Sequence, residues 1–72
     1  MNIDNKRIFF ALILKQYRLN SGIAIDVLSA KVNCTPKTIE AIENGKFWPS
    51  FKQILMICEA LDLDIEIKRK YK

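Results

Sequence analysis

The side chains that could do catalytic or metal chemistry are few in this 72-residue sequence, and they do not converge. Histidine is absent, and Cys34 and Cys58 are too far apart along the chain to suggest a zinc site. Asp62, Asp64 and Glu66 alternate with apolar residues, as the solvent face of a strand would. There is no glycine-rich phosphate loop. We expect no enzymatic activity, no cofactor and no metal, and buried reduced thiols rather than a disulfide.

Residues suited to recognition of another molecule are concentrated in TPKTIEAIENGKFWPS, residues 35–50. Thr35 is a predicted N-cap, and Pro36 follows it at the first helical position, where a missing N–H costs nothing. Asn44 and Gly45 are typical of a helix end. Between these signals lies an exposed-looking row: Lys37, Thr38, Glu40 and Ala41. The sequence therefore predicts a short helix, bounded at both ends, that presents this row.

The net charge of +4 is carried by the end of the chain. Residues 1–67 have equal numbers of basic and acidic side chains, and the excess lies at Lys68, Arg69, Lys70 and Lys72. A basic segment of this kind could follow phosphates or only increase solubility, and both interpretations stay open. A nucleic-acid partner must therefore be inferred from the body of the chain.

A membrane segment and a secretion signal are not predicted. The longest uninterrupted apolar run, residues 8–14, is far shorter than the ~20 residues needed to cross a bilayer. No basic segment precedes an apolar run and a small-residue cleavage site. We expect a cytoplasmic protein of one small domain, too small for a large catalytic cleft.

Hydrophobic periodicity and capping signals divide residues 1–61 into four predicted helices. The first spans about residues 5–19 with Asp4 as N-cap, and the second spans about residues 24–32 with a weak cap. Ser50 and Gln53 form a capping box for the fourth. The predicted core residues are Phe10, Leu14, Tyr17, Val27, Leu28, Val32, Ile54, Ile57, Cys58 and Leu61, with Cys34 packing on Ile39. A second stripe on the first helix is formed by Ile8, Leu12 and Leu19, and one helix in so small a domain can rarely bury both stripes.

After Leu61 the period of the apolar residues changes from 3.6 to 2. Leu63, Ile65 and Ile67 alternate with charged residues, which predicts a short β-strand with one apolar face. No other segment resembles a strand, so its partner is expected to be a second copy of the chain. We divide the sequence into a helical domain, residues 1–61, and a strand with a basic tail, residues 62–72.

Two short helices joined by VNCT, the second with polar residues on one side, are typical of a helix-turn-helix. Residues 14–64 resemble the lambda-repressor-like regulators, also called Cro-type or XRE-type. The landmarks of the resemblance are Arg18 four residues before Gly22, Leu28, the run Thr38, Ile39, Ile42, Glu43 and Gly45, then Pro49-Ser50 and Ala60-Leu61. The resemblance implies an all-α, four-helix DNA-binding domain whose second and third helices form the reading pair.

The resemblance also assigns roles to particular residues. It implies that Arg18 and Glu43 form a partly buried ion pair between the first and third helices. The C-terminal strand resembles the extension of antitoxin-like members of the family, in which paired strands join two subunits. Leu63, Ile65 and Ile67 would then form the dimer interface.

The function implied is sequence-specific binding of double-stranded DNA by a homodimer that regulates transcription, as a repressor or autoregulator. Lys37, Thr38, Glu40 and Ala41 would face the major groove. Thr35, Asn44 and Lys46 would hold phosphates, together with amides at the N-termini of the second and fourth helices.

Some residues depart from the family pattern and favour a different function. Ala24 and Ile25 replace the polar residue and phosphate-binding glutamine that usually begin the second helix, and Trp48 is expected to cover the core or contact a partner. Ile25, the balanced charge of residues 1–67 and the second stripe of the first helix favour a protein-interaction module whose partner is toxin-like or regulatory. An antitoxin would combine both functions.

Overall fold

The computed structural model describes residues 2–68, which contain four α-helices. They are α1 (Ile3–Asn20), α2 (Ile25–Lys31), α3 (Pro36–Glu43) and α4 (Phe51–Ala60). α3 packs against α1 and α2, and α2 also packs against α4. One core joins all four helices: Leu14, Leu28, Val32, Ile39, Ile42, Ile57 and Leu61. The prediction of an all-α, four-helix domain is confirmed.

The caps of α3 and α4 form as their local sequences predict. Thr35 Oγ1 accepts a hydrogen bond from the Thr38 amide at 3.2 Å. Ser50 Oγ accepts from the Gln53 amide at 3.1 Å, and the Ser50 amide donates back to Gln53 Oε1 at 2.8 Å. Each cap satisfies amides that the first turn of the helix cannot pair, so both helices begin at defined residues.

α1 begins earlier than predicted. Its N-cap is Asn2, whose side-chain oxygen accepts from the Asn5 amide at 2.8 Å. The expected N-cap, Asp4, instead lies in the first turn, where its negative charge favours the helix dipole. α2 has Ala24 at its N-cap position and no side-chain cap, in agreement with the weak cap predicted.

Each described helix ends with a left-handed residue directly after its C-cap. These residues are Gly22, Asn33, Gly45 and Asp62, with φ between 57° and 72°. The next amide then returns to a carbonyl of the last turn, as from Lys46 to Ala41 at 3.0 Å and from Leu63 to Cys58 at 2.7 Å. These closures satisfy free carbonyls and set the direction in which the chain leaves each helix.

Burial on α1 and α2 follows the predictions only in part. Leu14 is buried and Phe10 packs against the core, but Tyr17 is 46% exposed. Val27 is also 46% exposed, because Leu28 and Val32 occupy the side of α2 that faces the core. The core assignments of Tyr17 and Val27 were therefore wrong. As expected, α1 does not bury both stripes, and the one left exposed is Ile8, Leu12 and Leu19.

The segment after α4 forms no strand in this single chain as far as Lys68. A strand is stabilised by hydrogen bonds to a neighbouring strand, and the rest of the described chain is helical or irregular. Leu63 packs against the core, whereas Ile65 is 41% and Ile67 91% exposed. Most of the predicted basic tail, residues 69–72, lies outside the described residues.

Cys34 and Cys58 are free thiols that pack near or within the core. Burial raises the pKa of both thiols above the ordinary value, which keeps them neutral and weakly reactive at pH 7. Between residues 2 and 68 the structure has no helix long and apolar enough to cross a membrane. The same stretch contains no His, Cys, Asp and Glu cluster that could hold a metal ion.

Candidate nucleic-acid interface

The exposed face of α3 carries the predicted reading residues. At about 100° per residue, Lys37, Ala41 and Asn44 lie along the middle of this face, with Thr38 on one flank and Glu40 on the other. Lys37, Glu40 and Asn44 are exposed, and Thr38 and Ala41 are half-buried. The opposite side of the helix enters the core through three buried residues: Ile39, Ile42 and Glu43. α3 is thus anchored on one side and free to meet a ligand on the other.

Arg18 and Glu43 lie side by side between α1 and α3. Arg18 Nε donates to Glu43 Oε2 at 2.7 Å, and Nη2 donates to Oε1 at 3.1 Å, so the contact is bidentate. Arg18 Nη1 donates to the Ile23 carbonyl at 2.8 Å. The two charged residues are only 6% and 7% exposed, respectively. Three charge-assisted hydrogen bonds therefore hold α3, α1 and the loop before α2 in one arrangement.

Thr35 stands at the edge of this face and is exposed. Its hydroxyl accepts from the Thr38 amide and also pairs with the Thr38 hydroxyl at 3.0 Å. When Thr38 is the donor in that pair, the Thr35 hydroxyl hydrogen is available to an outside acceptor such as a phosphate. Asn44 and Lys46, the other two predicted phosphate contacts, are both exposed directly after α3.

Phe47 is a feature of this surface that sequence reasoning missed. It borders a shallow depression of about 190 Å³ together with Lys37, Thr38 and Ala41. Its side chain is 42% exposed. An aromatic residue two positions after the helix-ending Gly45 was the available signal, but only the fold places the ring beside the row on α3.

The N-termini of α2 and α4 differ in their suitability for phosphate. In the first turn of α2, Asp26 Oδ1 accepts from the Val27 amide at 2.9 Å, and its negative charge opposes an anion there. Ile25, which stands where the family usually has glutamine, packs against the core. At α4 the exposed Lys52 adds a positive charge to a helix N-terminus. Of the two predicted amide sites, α4 has the more favourable charge.

Trp48 is 44% exposed, and the neighbouring Pro49 takes the buried position in this loop. The expected role of Trp48 as a lid on the core stays a prediction. Its other expected role, a contact to a partner, remains a prediction.

Two short helices at a tight turn, with the second exposed along a polar face, define a helix-turn-helix domain. The family model described as Helix-turn-helix matches residues 14–68, and the chain belongs to this family, in its XRE type. Comparison with curated proteins gives no significant match. The crystal structure of the clp gene regulator ClgR from Corynebacterium glutamicum has a similar fold, with a TM-score of 0.77 and 21% sequence identity. That similarity covers 79% of this chain and 61% of the ClgR chain.

Proposed function

We propose that this protein binds double-stranded DNA sequence-specifically as a homodimer and thereby regulates transcription, as a repressor or autoregulator. The observation that carries the proposal is the two-sided character of α3. Its inner side is held by the core and by the Arg18–Glu43 pair. Its outer side presents the row of Lys37, Thr38, Glu40 and Ala41. A helix fixed in this way fits the width of the major groove.

The side chains of the row have complementary partners on base edges. Lys37 is a donor suited to guanine, Glu40 accepts from the amino group of cytosine, and the Ala41 methyl suits the thymine methyl. The Thr38 hydroxyl can donate a hydrogen bond to a base edge or accept one from it. These residues form the specificity surface in our proposal.

Phosphate contacts from residues around α3 would fix the register of the domain on DNA. We assign them to Thr35, Asn44 and Lys46, which flank the ends of the helix and are exposed. Such contacts are independent of sequence and weaken as salt rises.

The homodimer in this proposal forms through the segment after residue 61. Ile65 and Ile67 are exposed at alternate positions, which supports pairing of two such segments as strands. Leu63 contributes less than the sequence predicted, because it packs against the core of its own chain. In the same proposal, residues 1–61 form the DNA-binding domain, and residues 62–72 form the strand and the basic tail.

Lys37→Ala and Thr38→Ala are expected to weaken binding to a DNA site selected from random sequences by about 1–3 kcal/mol each. Thermal unfolding should change little for Lys37→Ala, because side chains exposed on a helix surface usually contribute within ~0.5 kcal/mol to stability. Thr38 is half-buried, and its replacement also removes the contact with the Thr35 hydroxyl, so a loss of about 1 kcal/mol is expected for Thr38→Ala. Binding is measured by fluorescence anisotropy over a range of salt concentrations.

Lys15→Ala is the matched control, since it removes an exposed lysine from α1 rather than from α3. It should preserve the preference for the selected site. If both α3 variants bind that site as tightly as the parent, the base-reading assignment is wrong. If the parent shows no salt-dependent binding even to random duplex, DNA binding itself is wrong.

The outer face of α1 favours a second candidate function, the binding of a protein partner. This face carries five apolar residues that are between 37% and 58% exposed: Ile8, Phe9, Leu12, Ile13 and Leu19. Between Lys15 on one side and Lys6 on the other it has no charged residue. The polar Gln16 lies within this face, between Leu12 and Ile13. Clusters of exposed apolar residues with polar neighbours are typical of protein interaction sites.

The occupant we propose for this face is a different protein with an apolar, uncharged surface. The side of α1 that bears Arg18 faces α3, and Ile8 borders the end of α3 at Gly45. Phe9 and Ile13 lie on the opposite side of α1 and point away from the reading helix. Two copies joined there would hold their α3 helices on the far sides of the pair, where one straight duplex does not reach both. A different protein docked there leaves α3 free for DNA.

A partner that co-purifies with the native chain is isolated, and the complex is reconstituted from the two purified proteins. Leu12→Asp should abolish this binding. Leu12 is 58% exposed, so the fold should tolerate the change, and the affinity for selected DNA should be retained. Isothermal calorimetry measures both interactions, with Lys37→Ala on α3 as the reciprocal control, which should weaken DNA binding and keep the affinity for the partner. A variant that binds the partner as the parent does would eliminate this face as the docking site.

A further inference from the structure

Phe47 is held in place by the closures on both sides of its loop. Before it, the Lys46 amide donates to the Ala41 carbonyl at 3.0 Å and ends α3. After it, Pro49 is buried and the capping box begins α4 at Ser50. The loop between two closed helix ends is short, so the position of the Phe47 backbone relative to α3 is set before any ligand binds. Pre-organisation of this kind lowers the entropy lost on binding.

The surroundings of the ring combine apolar groups with the reading row. Phe47 shares its depression with Lys37, Thr38 and Ala41, whereas Glu40 lies on the other flank of α3. The depression therefore contains an aromatic ring and the methyl group of Ala41, without a carboxylate. Such a surface suits a small apolar group that projects from an otherwise polar ligand.

In the major groove of DNA, thymine alone presents a group of this kind, its 5-methyl. We propose that Phe47 is a specificity-determining residue that receives, with Ala41, the methyl group of one thymine in each half-site. This inference rests on the proposed DNA-binding function. The two flanks of α3 then read different groups: Glu40 recognises the amino group of cytosine, and Phe47 recognises the methyl group of thymine.

The test removes the methyl group from the DNA and the ring from the protein, separately and together. A DNA site selected with the parent protein is synthesised with each thymine replaced in turn by deoxyuridine, which lacks only the 5-methyl group. We expect one replacement per half-site to weaken parent binding about fourfold, the value for burial of one methyl-sized group. Phe47→Ala should bind the thymine site more weakly than the parent and should no longer distinguish thymine from deoxyuridine there.

Trp48→Ala is the matched control, because Trp48 is the adjacent exposed aromatic residue and does not border the depression. It should keep the parent's discrimination, and thermal unfolding checks that all variants fold. Discrimination that survives in Phe47→Ala overturns the inference, as does equal weakening on every sequence, which would place the ring against the sugar-phosphate backbone. In both cases salt-dependent binding to random duplex persists, whereas its absence in the parent overturns the proposed function as well.

Discussion

Replacing Arg18 by alanine is expected to lower the free energy of unfolding by about 3–5 kcal/mol, and Glu43→Ala should have a similar effect. Each substitution leaves the other charge buried without its partner, since the two residues are only 6% and 7% exposed. Arg18→Ala also removes the donor to the Ile23 carbonyl. Because a domain of this size has a total stability of roughly 4–11 kcal/mol, either change could consume most of it.

Urea unfolding at low temperature measures these changes, and a double-mutant cycle isolates the coupling between the two residues. Arg18→Lys should recover only part of the stability, because an ammonium cannot reproduce the two parallel bonds to the Glu43 carboxylate. If the single variants do not fold, the double variant Arg18→Met with Glu43→Leu should still fold. Apolar replacement of both partners of a buried ion pair often leaves the free energy of unfolding unchanged.

The ion pair between the half-buried Arg7 and the exposed Asp4 is the control for a pair with one exposed partner. Its atoms are 3.5 Å apart, and the Asp4 side chain is 68% exposed. Asp4→Ala should therefore cost under about 1 kcal/mol. Additive effects of Arg18→Ala and Glu43→Ala in the cycle would contradict the role we give to the buried pair.

Ile67→Lys is expected to convert a DNA-binding dimer into a monomer and to weaken binding to the full site by about 100-fold or more. Ile67 is 91% exposed in the single chain, so the substitution removes almost no contact within it. In a paired strand it would place a positive charge on the apolar face shared with Ile65. The lost affinity comes from the loss of simultaneous binding by two linked domains.

Sedimentation at micromolar concentration measures the oligomeric state. Glu66→Lys is the control, because it adds positive charge at the neighbouring position on the other face of the predicted strand. It should remain dimeric and bind DNA at least as tightly, since added positive charge favours phosphate. A parent chain that sediments as a monomer, or an Ile67→Lys chain that remains a full dimer, would exclude this segment as the interface.

The dimer also predicts the form of the DNA site. A two-fold axis between antiparallel strands relates the two α3 helices, so the site should be a near-palindrome. Its half-sites should be about 34 Å apart, or a multiple of that distance. Selection from random DNA tests this directly, and a selected site without internal symmetry would contradict it.

Local interactions made the helix limits predictable from sequence. The cap at Thr35, the capping box of Ser50 with Gln53, and the left-handed Gly45 involve residues within a few positions of one another. Asp4 was the predicted N-cap of α1, but Asn2 caps the helix, which begins two residues earlier than expected. We assigned DNA contacts to the row on α3 from the family resemblance, because capping and periodicity predict a helix but not its ligand.

Tertiary packing decided which apolar residues enter the core. Val27 and Tyr17 fit an amphipathic pattern, but each helix buries only the side that its neighbours cover, and both residues stay outside. Leu63 fits a strand pattern, yet in the single chain its amide closes α4 and its side chain packs on the core. Periodicity describes one segment at a time and carries no information on where the next helix lies.

The candidate interface also depends partly on local sequence and partly on tertiary packing. The sequence by itself determined that residues 36–43 form a capped helix with a polar row, because caps and periodicity are short-range properties. Only the tertiary structure decided that Phe47, from the following loop, lies beside that row. The Arg18–Glu43 pair spans 25 positions and was expected from the family resemblance, and the structure gives its bidentate geometry and burial. Contacts between distant segments depend on how the helices pack together, and packing is a property of the whole chain.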